Sequence, residues 1–269
     1  MIIFKSINKL KNEVNFKANI GFVPTMGSLH NGHISLIKLS KKKCDKTLVS
    51  IFVNPSQFNK KNDYDTYPRN IKADIKILKK LRVDYVLIPK VKDIYRTKKE
   101  MKINLKNNDK ILCSKYRPGH FEGVLGIISI FLKNIKAKFM FLGEKDFQQI
   151  YIIKKYLGKK FKIKIINCKT IRYKNSLVYS SRNKFLSKNN LQKAIKISKI
   201  LMNFYNCIKI NFSKIDDIRN IKNKISQISS NVEYLEVRNK NNLSKRINKR
   251  NFKIFVSYYI NNIRLIDNF

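Results

Sequence analysis

The chain has 269 residues, with 59 Lys and Arg against 17 Asp and Glu, a formal net charge of +42. Its length suits one large domain or two ordinary ones at roughly 150 residues each, and 43% hydrophobic residues with 11% aromatics supply a core, which excludes wholesale disorder. The longest apolar run, residues 123–132, is too short to span a bilayer, and MIIFKSINKL lacks the pattern of a secretory signal, so the expectation is a cytoplasmic protein with no membrane partner.

In chain order, residues 20–24 read as a buried strand, 34–43 as a helix and 48–53 as a second strand. Ile71, Ile75 and Leu78 recur at i, i+4, i+7 and predict an amphipathic helix over 71–81, followed by a strand at 85–89. A buried helix at 123–135, a strand at 139–142, a helix at 147–157 and a strand at 161–167 continue the alternation. Strands alternating with helices predict an α/β fold, a Rossmann-like doubly wound parallel sheet covered on both faces, over residues 1–170. After about residue 171 the pattern changes. Helices at 191–205 and 215–228 and short strands at 232–237, 252–258 and 263–266 predict a second, smaller α+β C-terminal domain, 171–269.

The basic excess is spread along most of the chain, with Lys beside Asn and Ile, and residues 147–215 hold no acid at all. No RGG or RS tract and no aromatic–basic alternation accompanies it, so the charge is read as solvated faces, with no specific nucleic acid as partner. Cys44, Cys113, Cys168 and Cys207 form no CxxC pair, which excludes a local zinc knuckle or dithiol motif. GxGxxG and GxxxxGK[ST] are both absent.

Chemistry-bearing residues gather where strands end. After the first strand comes VPTMGSLHNGH, with His30 and His33 ahead of the first long helix. Free N–H groups at a helix N-terminus attract phosphate, and two imidazoles three residues apart can donate to its oxygens. Two surface histidines or a metal pair are the alternatives, but no cysteine or third histidine lies near in sequence. The pattern points to nucleotidyl transfer. GEKDFQQ after a later strand offers Lys145 as a point charge for a polyphosphate and Gln149 as an amide. VSIFVNPSQF brings Asn54 and Gln57, and SSRN groups hydroxyls with a guanidinium. At the strand ends of one doubly wound sheet, such motifs share a crevice.

With Tyr67-Pro68-Arg69, RPGHF at Arg117 to Phe121, and RLIDN at Arg264 to Asn268, these motifs run nearly end to end, and the chain resembles the pantothenate synthetase (pantoate–β-alanine ligase) family. The resemblance implies ATP-dependent condensation of (R)-pantoate with β-alanine through a pantoyl-adenylate, with release of AMP and pyrophosphate. It implies Mg²⁺ as cofactor, a homodimer, and a C-terminal domain that closes over the site. His33, His30 and Lys145 would be catalytic. ATP would meet Met26, Gly27, Ser28, Leu29, His30, Asn31, Gly32 and His33, then Gly143, Glu144, Lys145 and Asp146, and finally Ile171, Tyr179, Ser180, Ser181 and Arg182. Gln57, Gln149 and Asn54 would hold pantoate, with Tyr67 lining the pocket, and Gln57 would also meet β-alanine. Metal ligands are not identified by the motifs; Asp74 is a candidate only through water. Three positions depart from the family pattern. Cys113 stands where a Glu is common, Glu122 where the residue is often basic or neutral, and Asn175-Ser176-Leu177-Val178-Tyr179 replaces DGLAL. Another HxGH nucleotidyltransferase, a nucleic-acid-binding module and an inactive relic remain as rivals.

Overall fold

A computed structural model describes residues 1–95 and 103–269. By internal contacts the chain divides into two units, Met1–Lys169 and Thr170–Phe269. The first unit runs β1 (Ile2–Phe4), α1 (Ile7–Glu13), β2 (Ile20–Thr25), α2 (Asn31–Lys43), β3 (Lys46–Ile51), α3 (Ile71–Lys80), β4 (Tyr85–Leu87), α4 (His120–Asn134), β5 (Phe139–Gly143), α5 (Phe147–Ile153) and β6 (Lys164–Cys168), with short turns of helix between. All six strands are parallel, in the order β1-β4-β3-β2-β5-β6.

The central strands are buried on both faces, which is why they read as unbroken apolar runs. Phe22 and Val23 of β2 are both fully buried, and neighbours along a strand point to opposite faces. On the Val23 side, Leu36 and Ile37 of α2 join Val49, Val86 and Phe141 in one cluster. On the Phe22 side lies α4, whose Phe131 meets Phe22 edge to face at 5.7 Å. From β2 the chain builds β3 and β4 to one side, then returns to lay β5 against the other side of β2. The winding reverses there, and such a sheet binds ligands at the carboxyl ends of its strands at this point.

The sequence pattern anticipates each inner strand and misses β1 at the edge. Only Phe4 of its three residues is buried, too little for a periodicity, yet β1 pairs with β4 from Ile2–Tyr85 to Phe4–Leu87. The strand expected from residue 161 begins instead at Lys164, because Lys162 takes a left-handed φ of +48° at the end of the preceding helical turn.

In the second unit, α6 (Lys188–Ile210) and α7 (Ile218–Ser226) accompany an antiparallel sheet of β7 (Asn231–Asn239), β8 (Phe252–Ile260) and β9 (Ile263–Asn268). Ile197, Leu201 and Phe204 of α6 and Ile225 of α7 share a core with Ile254 and Val256 of β8. Across the sheet, Glu233 of β7 accepts from Ser257 and Tyr259 of β8 and from the Arg264 guanidinium of β9, at 2.7–3.1 Å. Among the described residues no helix is long and apolar enough to cross a membrane.

Burial by itself raises the Glu233 carboxyl; Arg264 and the two hydroxyls outweigh it and hold the group below the usual carboxylate range. A depressed carboxyl contributes stability that is present above its unfolded pKa and lost as pH falls through the folded value. Glu233→Gln removes the carboxylate charge facing the buried Arg264 and should cost on the order of 3 kcal/mol at neutral pH. Urea unfolding at several pH values should show the gap to the parent protein closing as the solution is acidified.

Candidate active site

The loop leaving β2 is shaped by two polar side chains, Thr25 and Asp74. Thr25 Oγ1 donates to Ser50 O at 2.7 Å and accepts the Gly27 N–H at 3.2 Å. Gly27 and Ser28 then take consecutive left-handed conformations, φ +78° and +52°, which bare backbone tolerates and Ser does at a cost. Asp74 of α3, only 2% exposed, receives the Ser28 N–H on one oxygen at 2.9 Å and the Leu29 N–H on the other at 2.7 Å. A Cβ on Gly27 would stand 2.9 Å from the same carboxylate. This turn delivers the chain to His30.

His30 is the N-cap of α2. Its Nδ1 accepts the Gly32 N–H at 3.1 Å, and His33 Nδ1 accepts the His30 N–H at 3.4 Å, a reciprocal box in which histidines replace the usual Ser and Glu. A nitrogen that accepts carries no proton, so each neutral ring bears its hydrogen on Nε2, ready to donate. The ring centroids lie 4.1 Å apart. Burial, the neighbouring His30 and the Lys145 charge together hold His33 well below its ordinary pKa. His33 is therefore a neutral donor at neutral pH.

Lys145 belongs to the turn Glu144–Asp146, which follows β5, the strand beside β2. Its charge acts on His33, and its ammonium reaches the Asp146 carboxylate at 3.3 Å. The structure thus brings His30, His33 and Lys145 together at the reversal of the sheet. Among the described residues no group of three or more His, Cys, Asp or Glu could hold a metal ion. Asp74 is 2% exposed, and each of its oxygens accepts a backbone N–H of the loop.

The amides divide by task. Gln148 is buried and donates to Ile111 O at 2.6 Å while accepting the Cys113 N–H at 3.0 Å; between them Leu112 holds a φ of +48°. The adjacent Gln149 makes no such bond among the described residues and is partly exposed. Asn54 donates to Gly123 O at 3.1 Å and accepts from Ser56 and from the Tyr95 hydroxyl, so its amide is largely committed to the loop. Gln57 is 8% exposed, and its side-chain amide, like that of Gln149, has no hydrogen bond among the described residues. Tyr67 is buried, its ring edge-on to Phe58 at 5.5 Å.

A family model described as pantoate–β-alanine ligase matches residues 2–269. The chain belongs to the pantoate–β-alanine ligase family. A curated pantothenate synthetase of Francisella tularensis subsp. mediasiatica (strain FSC147) is 43% identical over 271 residues, covering 98% of this chain and 94% of that one. A crystal structure of the pantoate–β-alanine ligase of Francisella tularensis, complexed with beta-gamma ATP and β-alanine, matches with a TM-score of 0.86 at 41% identity, covering 100% of this chain and 97% of that one. The pantothenate synthetase of Thermus thermophilus matches with a TM-score of 0.91 at 25% identity, covering 100% and 99%.

Against this family the segment from Ile171 to Arg182, in the second unit, carries the departure at Asn175 and Ser176. It forms a hairpin with Arg172 bridged to Val178, the rings of Tyr173 and Tyr179 stacked at 3.7 Å. Asn175 Oδ1 accepts the Leu177 N–H at 3.2 Å, a turn that Asp would make equally. Ser176 adopts φ +75°, a conformation that glycine takes without strain. Two bonds from the Arg172 guanidinium to Asp267, at 2.7 and 2.8 Å, and one to Ser176 O at 3.0 Å hold the hairpin in this shape. Beyond it, Ser180 caps the turn Ser181–Phe185, and Arg182 Nη1 donates to Arg264 O at 3.5 Å.

Two outcomes follow from this geometry. Asp74→Asn puts an NH₂ against an N–H and should lower stability by about 3 kcal/mol, with faster amide hydrogen exchange at Ser28 and Leu29. Ser176→Gly relieves the left-handed strain and should raise stability by about 1 kcal/mol, seen as a higher midpoint in urea.

Proposed function

We propose that this protein condenses (R)-pantoate with β-alanine at the expense of ATP, through a pantoyl-adenylate, releasing AMP and pyrophosphate. One observation carries the reading within the family: two imidazoles fixed by their own helix as Nε2–H donors, beside Lys145, at the reversal of a doubly wound sheet. The crystal structure of the Francisella ligase with beta-gamma ATP and β-alanine supports the choice of substrates. In this reading ATP meets residues 26–33, 143–146, Ile171 and 179–182. Pantoate meets Gln57, Gln149 and the edge of Asn54, and β-alanine meets Gln57. Two side-chain amides with no hydrogen bond among the described residues, one of them nearly buried, suit a small hydroxy acid, since each would otherwise lose its hydrogen bonds on burial. The same reading takes the protein as a cytoplasmic homodimer.

The pantoate carboxylate attacks the α-phosphorus in line and pyrophosphate leaves. Negative charge builds on the phosphoryl oxygens, and His30, His33 and Lys145 are donors already oriented for it; Ser180, Ser181 and Arg182 are assigned the same task. A neutral imidazole donates its Nε2–H without adding charge, and the Lys145 ammonium supplies the positive charge. Magnesium, brought bound to the nucleotide, would supply further neutralisation of phosphate charge beside Lys145. The β-alanine amine then attacks the acyl carbon of the mixed anhydride, and AMP leaves. Domain closure over that anhydride would keep water out.

Exchange of labelled pyrophosphate into ATP tests the first half-reaction. It should require pantoate, and His33→Ala should lower it by about two orders of magnitude, as loss of one transition-state donor does. Exchange supported by a different acid and not by pantoate would assign the protein to another adenylating activity; near-normal exchange in the variant would remove His33 from the mechanism.

A further inference from the structure

The segment Arg117-Pro118-Gly119-His120-Phe121 has no task in the mechanism above, yet it converges on one of its residues. Arg117 Nη2 donates to the backbone oxygen of Gln57 at 3.1 Å, and His120 Nδ1 lies 2.8 Å from the same oxygen. Arg117 Nη1 lies 3.1 Å from His120 Nε2. A guanidinium only donates. Nε2 of His120 is therefore the acceptor, the ring is neutral, and its proton sits on Nδ1, from which it is donated to Gln57. The tautomer is the opposite of that in His30 and His33. The three groups close a triangle in which one carbonyl takes two donors.

The surrounding contacts reinforce the same junction. Asn59 Nδ2 donates to Pro118 O at 2.5 Å, and Asn54 Nδ2 to Gly123 O at 3.1 Å. A Cβ on Gly123 would come within 2.3 Å of Ser56 O, so only glycine lets α4 approach the loop this closely. The backbone of residues 54–59 is thus pinned to the start of α4, while the Gln57 side-chain amide makes no hydrogen bond among the described residues. A pinned main chain bearing an uncommitted amide is the arrangement a binding residue needs, because a side chain rooted on a loose loop loses its alignment with the ligand.

We propose that Arg117 and His120 are positioning residues that act through the main-chain carbonyl of Gln57 and fix its amide for pantoate and β-alanine. This rests on the reading of Gln57 as a substrate-binding residue. His120 touches the carbonyl through Nδ1, and an Asn side chain places its NH₂ close to that position, whereas Phe keeps the ring and loses the donor.

The test is steady-state kinetics on the full chain, with KM for each substrate and kcat measured separately. His120→Phe should raise KM for pantoate and β-alanine about tenfold, the effect of one lost hydrogen bond, and leave KM for ATP within about twofold. His120→Asn should recover most of that loss. In a Gln57→Ala background, already defective for both acids, His120→Phe should add less than about twofold, because its effect runs through Gln57. Should His120→Phe not fold, Arg117→Lys, which keeps the charge and loses the fork, is judged by the same pattern. Equal defects in His120→Phe and His120→Asn, or a full additive loss in the Gln57→Ala background, would mean direct contact with substrate and overturn the proposal. A normal His120→Phe beside a defective Gln57→Ala would overturn it while sparing the role of Gln57. A normal Gln57→Ala would overturn both.

Discussion

One buried carboxylate shapes the candidate site. Asp74 on α3 receives the N–H groups of Ser28 and Leu29, one on each oxygen, and so closes a turn whose two left-handed residues would otherwise be unfavourable. Without that acceptor both N–H groups would be buried and unpaired, a larger penalty than the strain itself. The turn decides where α2 begins. The start of α2 decides where His30 and His33 stand, and their reciprocal capping settles which nitrogen of each carries the proton.

Charge is managed in the opposite direction from what +42 suggests. Around the start of α2, Lys145 stands beside the Asp146 carboxylate, and His33 is held well below its ordinary pKa. The few acids are placed mostly to hold structure. Asp74 braces the loop, Asp109 accepts from Lys155 and Tyr156, and Glu233 and Asp267 meet arginines within the second unit. Removing either partner of such a buried pair is costly, so these positions tolerate less change than the lysines on the surface.

Adjacent residues of one type take unlike tasks. Gln148 and Gln149 share a helix, but successive residues on a helix are about 100° apart, so one braces the turn around Leu112 and the other makes no side-chain hydrogen bond among the described residues. The histidines show the same division: His30 and His33 accept through Nδ1, and His120 accepts through Nε2. Each tautomer follows from the backbone group or guanidinium it meets.

The sequence by itself determined the alternation of strands and helices, the smaller α+β second unit and the clustering of polar motifs behind the inner strands. These are local signals: apolar periodicity, glycine and proline at turns, and short motifs. Even there the three-residue β1 escaped, having one buried side chain, and the histidine caps of α2 do not follow the usual Ser/Thr/Asp preference. What only the tertiary structure decided is who meets whom across long separations: Asp74 with Ser28, Arg117 and His120 with the carbonyl of Gln57, Lys145 with His33. Such pairings leave no periodic trace, because a hydrogen bond between segments tens of residues apart is selected by the packing of whole elements and not by the spacing of residues along the chain.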